Sequence, residues 1–340
     1  MSSFSPTTPP TPLNDAHQGG FSLLGGLPSC LSMGVPLVSK PAHTYAQQIE
    51  ILRSRGLVVG DAEFAERCLA HHNYYRLSAY RFPFTLDGEA DRFHPGTRFE
   101  QIWDLYHFDR GLRQLVLEAT KRIEISVRSL LAYEVGHQLG PVAYLENKHF
   151  RDPLVHAKTL TTLDSEMQRS KEVFIKHHRS TLGMRWPPIW VLVEVASFGA
   201  VSSLLGQLEP PALRQSIADR FELDEKTFCS LVHHLSVVRN TAAHHSRLWN
   251  RRFVVTFQLP RKKPAYLWEN FNAAELNGTG KERQLYNTLV LLQHLIQCIE
   301  PQSCWSQRLR EHMHRLDDDL IGDMGFPSDW GSKPIWHAVA

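Results

Sequence analysis

Arginine, asparagine and histidine side chains stand at helical spacing in one segment of the second half of the chain. On the predicted helix Glu225–Asn250, steps of three and four residues place five side chains on one side: His233, Val237, Asn240, His244 and Arg247. Asn240, His244 and Arg247 are therefore expected to converge. The long side chain of Arg239 can lean towards them from the adjacent column.

This combination suits the cleavage of RNA by its own 2′-hydroxyl. That reaction needs a base for the hydroxyl proton, an acid for the leaving 5′-oxygen and a cation for the phosphorane. Histidine titrates near neutral pH, and arginine offers several N–H donors to phosphate oxygens. No metal is required, and the segment has no carboxylate cluster. The bland alternative is that these are ordinary solvated side chains on a helix surface.

Basic residues continue beyond this group. Between Val237 and Lys263 there is no acidic residue and there are seven basic ones: Arg239, Arg247, Arg251, Arg252, Arg261, Lys262 and Lys263. Such a cluster is what a polyanion contact requires, although a solvated basic surface explains it equally well. The net charge of the whole chain, +2, does not identify a partner.

Most of the chain after residue 40 has the 3.6-residue hydrophobic period of helices, so we predict an all-α, multi-helix fold. The predicted helices are Thr44–Ser54, Ala62–Tyr80, Phe99–Gln138, Pro153–His178, Ile189–Leu208, Pro211–Phe221, Glu225–Asn250, Arg283–Cys298 and Trp305–Leu320. The longest of them contains Gly111, a position where a helix can be interrupted, and Asp224 is expected to cap the motif helix. One segment, Phe253–Leu259, is rich in Val, Phe and Thr and is predicted to be strand-like.

The two ends of the chain differ from this pattern. Residues 1–39 are rich in Pro, Gly, Ser and Thr and are predicted to be a disordered leader. The tail from Gly325 is predicted to be irregular, with Trp330 and Trp336 as anchors. Apolar stretches are too short to span a bilayer, no export signal is evident, and the five cysteines are scattered. We therefore expect a cytoplasmic protein without a membrane contact.

The segment Val238–Arg251, with Arg239-Asn240 and His244-His245, resembles the signature of the Abi-like (AbiD/AbiF) family of abortive-infection proteins. Further family-like blocks follow in the same order along the chain: Lys40-Pro41 with Tyr45 and Gln48; Arg55-Gly56-Leu57; Asn73 to Tyr80; Phe108-Asp109-Arg110 with Leu112-Arg113; Arg122-Ile123-Glu124 with Arg128; Pro187-Pro188-Ile189-Trp190; and Glu194 with Ser197-Phe198-Gly199. The resemblance covers residues 40–255. It implies an N-terminal helical extension and a HEPN-like helical domain there, followed by a C-terminal helical extension at 256–325 and an irregular tail at 326–340.

The Abi-like family in turn resembles the HEPN group, in which many members are metal-independent ribonucleases with Arg-x(4–6)-His. The resemblance implies an antiviral toxin that cleaves RNA, works without a cofactor and pairs as a homodimer. Its catalytic residues would be Arg239, Asn240 and His244, with His245 as an alternative histidine. A non-catalytic RNA-binding regulator that uses the same site is the second hypothesis. The RNA target, the phage trigger and any antitoxin stay open.

Other positions have two interpretations each. Glu124 and Arg128, with Arg122 nearby, form either a surface salt bridge or a group that supports the catalytic residues. Tyr74, Tyr75 and Arg76 either pack between helices, which we favour, or stack on RNA bases. Paired histidines do not predict a zinc site, because adjacent helical residues point about 100° apart. Cys229 and His233 have i, i+4 spacing, but they make only half a site, and Cys298 and Cys304 do not obviously complete it.

Overall fold

The computed structural model describes residues 41–260, 264–272 and 283–337. The predicted leader at 1–39 lies outside these residues. In the described part the predicted all-α class is confirmed. The helices are α1 Tyr45–Ser54, α2 Ala62–His72, α3 Tyr74–Ser78, α4 Phe99–Gln138, α5 Pro153–Arg169, α6 Val173–Ser180, α7 Ile189–Val195, α8 Phe198–Gln207, α9 Pro211–Ala218, α10 Glu225–Ala243, α11 Tyr266–Asn270, α12 Tyr286–Ile299, α13 Trp305–Met313 and α14 Asp318–Gly322.

The long helix α4 is the centre of the packing. Its predicted bounds are confirmed, and at 1.5 Å per residue it is about 60 Å long. Its apolar stripe is fully buried at Leu112, Val116, Ile123 and Val127. Helices α7 to α10, α12 and α13 all pack against α4, so residues on α4 can reach elements that are far apart in sequence.

Gly111 does not interrupt α4. It lies where α13 crosses, and a Cβ at this position would collide with the His312 ring. The ring also bonds α4, since His312 Nε2 lies 2.8 Å from the Phe108 carbonyl. The glycine therefore permits a close approach between two helices rather than a break in one.

Several predicted helices are each divided in two. The break after α2 is at Asn73, whose φ is 55° and whose side chain caps α3 by accepting from the Tyr75 N–H at 2.9 Å. The break between α7 and α8 is at Ser197, which accepts from the Ala200 N–H at 3.3 Å. Hydrophobic periodicity continues across such breaks because both halves bury the same face. The segments Pro153–His178 and Trp305–Leu320 are divided in the same way.

The motif helix α10 ends at Ala243 and not at Asn250, which corrects our prediction. Beyond it, His245 has a left-handed φ of 58°, and the N–H groups of His245 and Ser246 bond back to Ala242 and Thr241 at 3.0 Å each. This hydrogen-bond pattern closes a helix C-terminus, usually with glycine at the left-handed position. The predicted N-cap is confirmed: Asp224 accepts from the N–H groups of Lys226 and Thr227.

The predicted strand Phe253–Leu259 is wrong. The segment has no strand partner among the described residues and instead lies against α10, where the Val255 carbonyl is 2.6 Å from His234 Nδ1 and the Gln258 N–H donates to Ser230 Oγ at 2.9 Å. Phe253 and Phe257 pack against the His234 ring of α10, so the richness of the segment in Val, Phe and Thr did not indicate strand pairing. A short hairpin occurs elsewhere, in Thr85–Leu86 (β1) and Glu89–Phe93 (β2), around Gly88.

The end of the chain packs on the same core. Helices α12 and α13 lie on α4. The tail forms short turns in which Trp330 is 6% and Trp336 is 0% exposed, so the predicted anchors are confirmed.

Candidate functional site

Arg239 is held by a buried carboxylate on α4. Its Nε lies 3.3 Å from Glu124 Oε2, and the Glu124 side chain is only 8% exposed whereas that of Arg239 is 35% exposed. Arg239 Nη1 donates to Asn240 Oδ1 at 3.0 Å. Among the described residues, Nη2 has no protein partner, so part of the guanidinium can meet a phosphate.

Glu124 is itself fixed from its other side by Arg128. Arg128 Nη2 donates to Glu124 Oε1 at 2.5 Å, and the same guanidinium donates to the carbonyls of Ala196 at 2.7 Å and Glu194 at 3.3 Å. The carboxylate therefore lies between two arginines. Glu124 and Arg128 thus lie beside Arg239, as expected of a group that supports the catalytic residues and not of a surface salt bridge alone.

Arg122 does not join this group. It donates to Glu118 and Glu300 and to the Ser303 hydroxyl, each at 2.8 Å. It thereby ties α4 to the segment between α12 and α13. The structure does not bring Arg122 to the motif.

The two histidines stand at the exposed end of α10. His244 is the C-cap, and its N–H donates to the Asn240 carbonyl at 2.9 Å. Both His244 and His245 are exposed. On a continuing helix His245 would lie about 100° from His244, towards the packed side, but α10 has already ended at Ala243. Exposure alone therefore does not identify which of the two histidines would act in catalysis.

The tyrosine and arginine block lies next to this turn, which the sequence could not show. Arg76 Nη1 donates to the His245 carbonyl at 2.7 Å. Tyr74 is half-buried and accepts from Arg55 Nη1 at 2.8 Å, whereas Tyr75 is 73% exposed. The packing interpretation thus describes Tyr74, and Tyr75 has a ring open to solvent.

Arg247 does not converge with Asn240 and His244, because the helix stops before it. Its Nη1 donates to the Ala79 carbonyl at 2.9 Å, its guanidinium lies 5.7 Å from the Trp249 ring centre, and burial lowers its pKa. Arg251 is half-buried over the Phe253 ring and Arg252 is exposed. Arg261, Lys262 and Lys263 lie outside the described residues.

A buried polar cluster that we did not predict holds the turn after the histidines. Asp109 is fully buried and accepts from the N–H groups of Leu248 at 3.0 Å and Trp249 at 2.7 Å, from the Tyr80 hydroxyl at 2.6 Å, and from Arg113. Burial raises the pKa of Asp109, while Arg113 and the hydrogen bonds oppose that change. An aspartate in helical phase with the apolar residues of α4 was the available signal, since a buried charge needs a partner.

The described ranges contain no group of three His, Cys, Asp or Glu side chains placed to hold a metal ion. His234 uses both ring nitrogens in bonds to the Val255 carbonyl and the Thr288 hydroxyl, and burial lowers its pKa to about 4. Across the same ranges, no helix has both the length and the apolar character needed to cross a bilayer.

Comparison with known families gives one match. The family model of the Abi-like proteins matches residues 67–250, which is more than half of the 340-residue chain. The match begins in α2 and ends just after the motif turn, so it includes Glu124, Arg128, Asp109 and the Arg239 segment. Neither the curated proteins nor the solved structures contain a match to the chain.

Proposed function

Because the chain belongs to the Abi-like protein family, whose name points to abortive-infection phage defence, we propose that it is a HEPN-type endoribonuclease of that defence. The observation that carries the proposal is the state of Arg239. A buried glutamate holds this guanidinium in place. Its Nη2 has no partner among the described residues, and it lies at the same end of α10 as the exposed His244. A pre-oriented cation next to a titratable histidine is the pair that phosphodiester cleavage requires.

In the proposed reaction, His244 takes the proton of the substrate 2′-hydroxyl. The 2′-oxygen attacks the phosphorus, and Arg239 stabilises the charge that builds up on the phosphorane. The P–O5′ bond then breaks, and a second histidine, either His245 or one from a second copy of the chain, protonates the leaving oxygen. The products are a 2′,3′-cyclic phosphate and a 5′-hydroxyl end. Asn240 orients the Arg239 guanidinium through its hydrogen bond.

The chemistry of the RNA ends tests this proposal. Purified protein incubated with single-stranded RNA in EDTA should yield 2′,3′-cyclic phosphate ends or their hydrolysed form. A 2′-deoxy substitution at the cut site should abolish cleavage, since the nucleophile is then missing. Cleavage that requires a divalent metal and leaves 3′-hydroxyl ends would refute the mechanism.

A non-catalytic RNA-binding regulator is the second candidate. One observation favours it: in the described part of the chain, no hydrogen bond orients the His244 ring, while Arg239 and the nearby Tyr75 are accessible. The Arg239→Ala/His244→Ala double variant separates the two candidates. Lost cleavage with retained RNA binding supports the nuclease; wild-type protein that binds RNA without ever cleaving it supports the regulator.

We further propose that the active form is a cytoplasmic homodimer. Each chain brings one Arg239 and one exposed pair of histidines, and two-fold pairing of these helix ends would supply both the base and the acid. Light scattering of the active protein should give twice the mass of the chain. A fully active monomer would contradict this assembly.

A further inference from the structure

One side of α4 next to Glu124 carries an exposed stripe with apolar members. Every fourth residue is exposed along it: Lys121, Ile125, Ser129, Tyr133 and His137. Ile125 and Tyr133 are each 57% exposed, and Trp190 at the start of α7 is 51% exposed beside them. Large apolar side chains that cluster on a surface generally mark a binding site.

These rings surround a groove of about 510 Å³, which is within the usual range for small-ligand pockets. Its walls include Tyr133, Gly136, His137, Trp190 and Glu194. The His137 ring lies 4.1 Å from the Tyr133 ring centre. The six-membered ring of Trp190 packs on the helix at Gly136, 3.4 Å from where a Cβ would be, which is ordinary van der Waals contact.

Hydrogen bonds connect a wall of the groove to the proposed catalytic site. The backbone carbonyl of Glu194, a wall residue, accepts from Arg128, and Arg128 bonds the carboxylate that holds Arg239. Along the axis of α4, Glu124 and the ring-bearing Tyr133 are about 13.5 Å apart, a span of two or three nucleotides. One short RNA strand can therefore meet both Arg239 and the groove.

We propose that this groove binds an unpaired base of single-stranded RNA, stacked on Tyr133 and Trp190, next to the phosphate held by Arg239. The inference rests on the proposed function in so far as RNA is the substrate. Aromatic rings bind unpaired bases through their faces, and Arg239 supplies positive charge for a neighbouring phosphate of the same strand. The combination of exposed aromatic rings with the accessible Arg239 favours RNA over a second protein copy.

The polar groups of the groove favour guanine. His137 Nδ1 lies 2.8 Å from the Tyr133 carbonyl, so it carries the proton and leaves Nε2 as an acceptor. The exposed Glu194 carboxylate is also an acceptor. Among RNA bases, only guanine presents two adjacent N–H donors on its Watson–Crick edge, and a carboxylate can accept both of them.

The test measures the anisotropy of a fluorescent oligouridine that contains a single guanosine. All variants are made in the His244→Ala background, so that the RNA stays intact. Tyr133→Ala and Trp190→Ala should each weaken binding about 10-fold, and Tyr133→Phe and Trp190→Phe should restore it. Tyr45→Ala, which removes an exposed tyrosine from α1, is the matched control and should leave binding unchanged.

The RNA is varied in parallel. Removing the guanine base from the oligonucleotide should weaken binding to the parent about 10-fold but should have little further effect on Trp190→Ala, since the two changes remove one contact. With 2-aminopurine in place of guanine, fluorescence should be quenched by the parent and not by Trp190→Ala. Glu194→Gln should reduce the preference for guanosine over adenosine without disturbing Arg128, which bonds the backbone carbonyl.

The outcomes separate this inference from the proposed function. Wild-type protein that neither binds nor cleaves single-stranded RNA would overturn both. If wild-type protein cleaves RNA as proposed, but the His244→Ala parent and its Tyr133→Ala and Trp190→Ala derivatives bind RNA equally well, the base-binding groove alone would be overturned. A second result would also overturn the groove alone. If Tyr133→Ala and Trp190→Ala change the mass of the protein in light scattering, and removal of the guanine base still weakens their binding to RNA, the groove is a protein interface.

Discussion

Replacing Glu124 with glutamine should separate the positioning of Arg239 from the stability of the fold. At the 3.3 Å between Arg239 Nε and Glu124 Oε2, the Coulomb attraction is about 1 kcal/mol with the dielectric constant of water and about 5 kcal/mol with an effective value of 20. Glutamine removes this attraction, but it keeps one acceptor oxygen and avoids burying a charge. The net loss in the free energy of unfolding should therefore be about 1 to 2 kcal/mol.

The effect on cleavage should be larger than the effect on stability. Arg128 keeps its bonds to the Glu194 and Ala196 carbonyls in the variant, whereas Arg239 keeps only its contact with Asn240. Misplacing a catalytic group by about 1 Å can cost about 100-fold in rate, so we expect a loss of that order in single-turnover cleavage of RNA. Affinity for RNA should change little, since the guanidinium retains its charge.

Glu118→Gln is the matched control for this experiment. Glu118 also lies on α4 and also joins two arginines, Arg122 and Arg308, but its ion pairs do not include Arg239. Urea denaturation should show a similar or smaller stability loss in this variant, with cleavage near the wild-type rate. The reasoning is refuted if Glu124→Gln cleaves as fast as wild type, or if both variants lose activity to the same extent.

Three other predictions concern the same region. Asp109→Asn should lower the free energy of unfolding by about 3 kcal/mol in urea, because Arg113 is left buried without its carboxylate; a loss below about 1 kcal/mol would contradict this. Arg251→Gln/Arg252→Gln should reduce the slope of log affinity for single-stranded RNA against log salt by about 1.4, whereas Arg67→Gln on α2 should not, and an unchanged slope in the double variant would assign these arginines to a solvated surface. His234 has a pKa of about 4 in the folded chain, below the 6.5 of the unfolded chain. The stability that the neutral ring contributes is therefore complete above pH 6.5 and is lost as the pH falls towards 4. The unfolding free energy of wild type minus that of His234→Gln should fall by up to about 3 kcal/mol over this range, and parallel curves would show that His234 does not titrate in this way.

Local sequence determined the class of the fold and most helices. The apolar stripe of α4 predicted its bounds, and Asp224 predicted the start of α10, because periodicity and capping depend on residues a few positions apart. The Arg239 segment was likewise recognisable from its residue types and from its resemblance to the Abi-like signature. The arrangement of the site around that segment was not accessible in the same way.

Tertiary contacts decided where the motif helix ends and what surrounds it. The helical pattern of α10 extends past Ala243, but the N–H groups of Leu248 and Trp249 are taken by Asp109, which is more than 130 residues away in the chain. Arg247 donates to the Ala79 carbonyl, which is also far away in the sequence. The pairing of Arg239 with Glu124 and of Arg76 with the His245 carbonyl also joins distant segments. A residue pattern records which side chains share a helix face, whereas the partner of a buried charge or of an unpaired N–H group is set by the packing of separate elements, and that packing exists only in the folded chain.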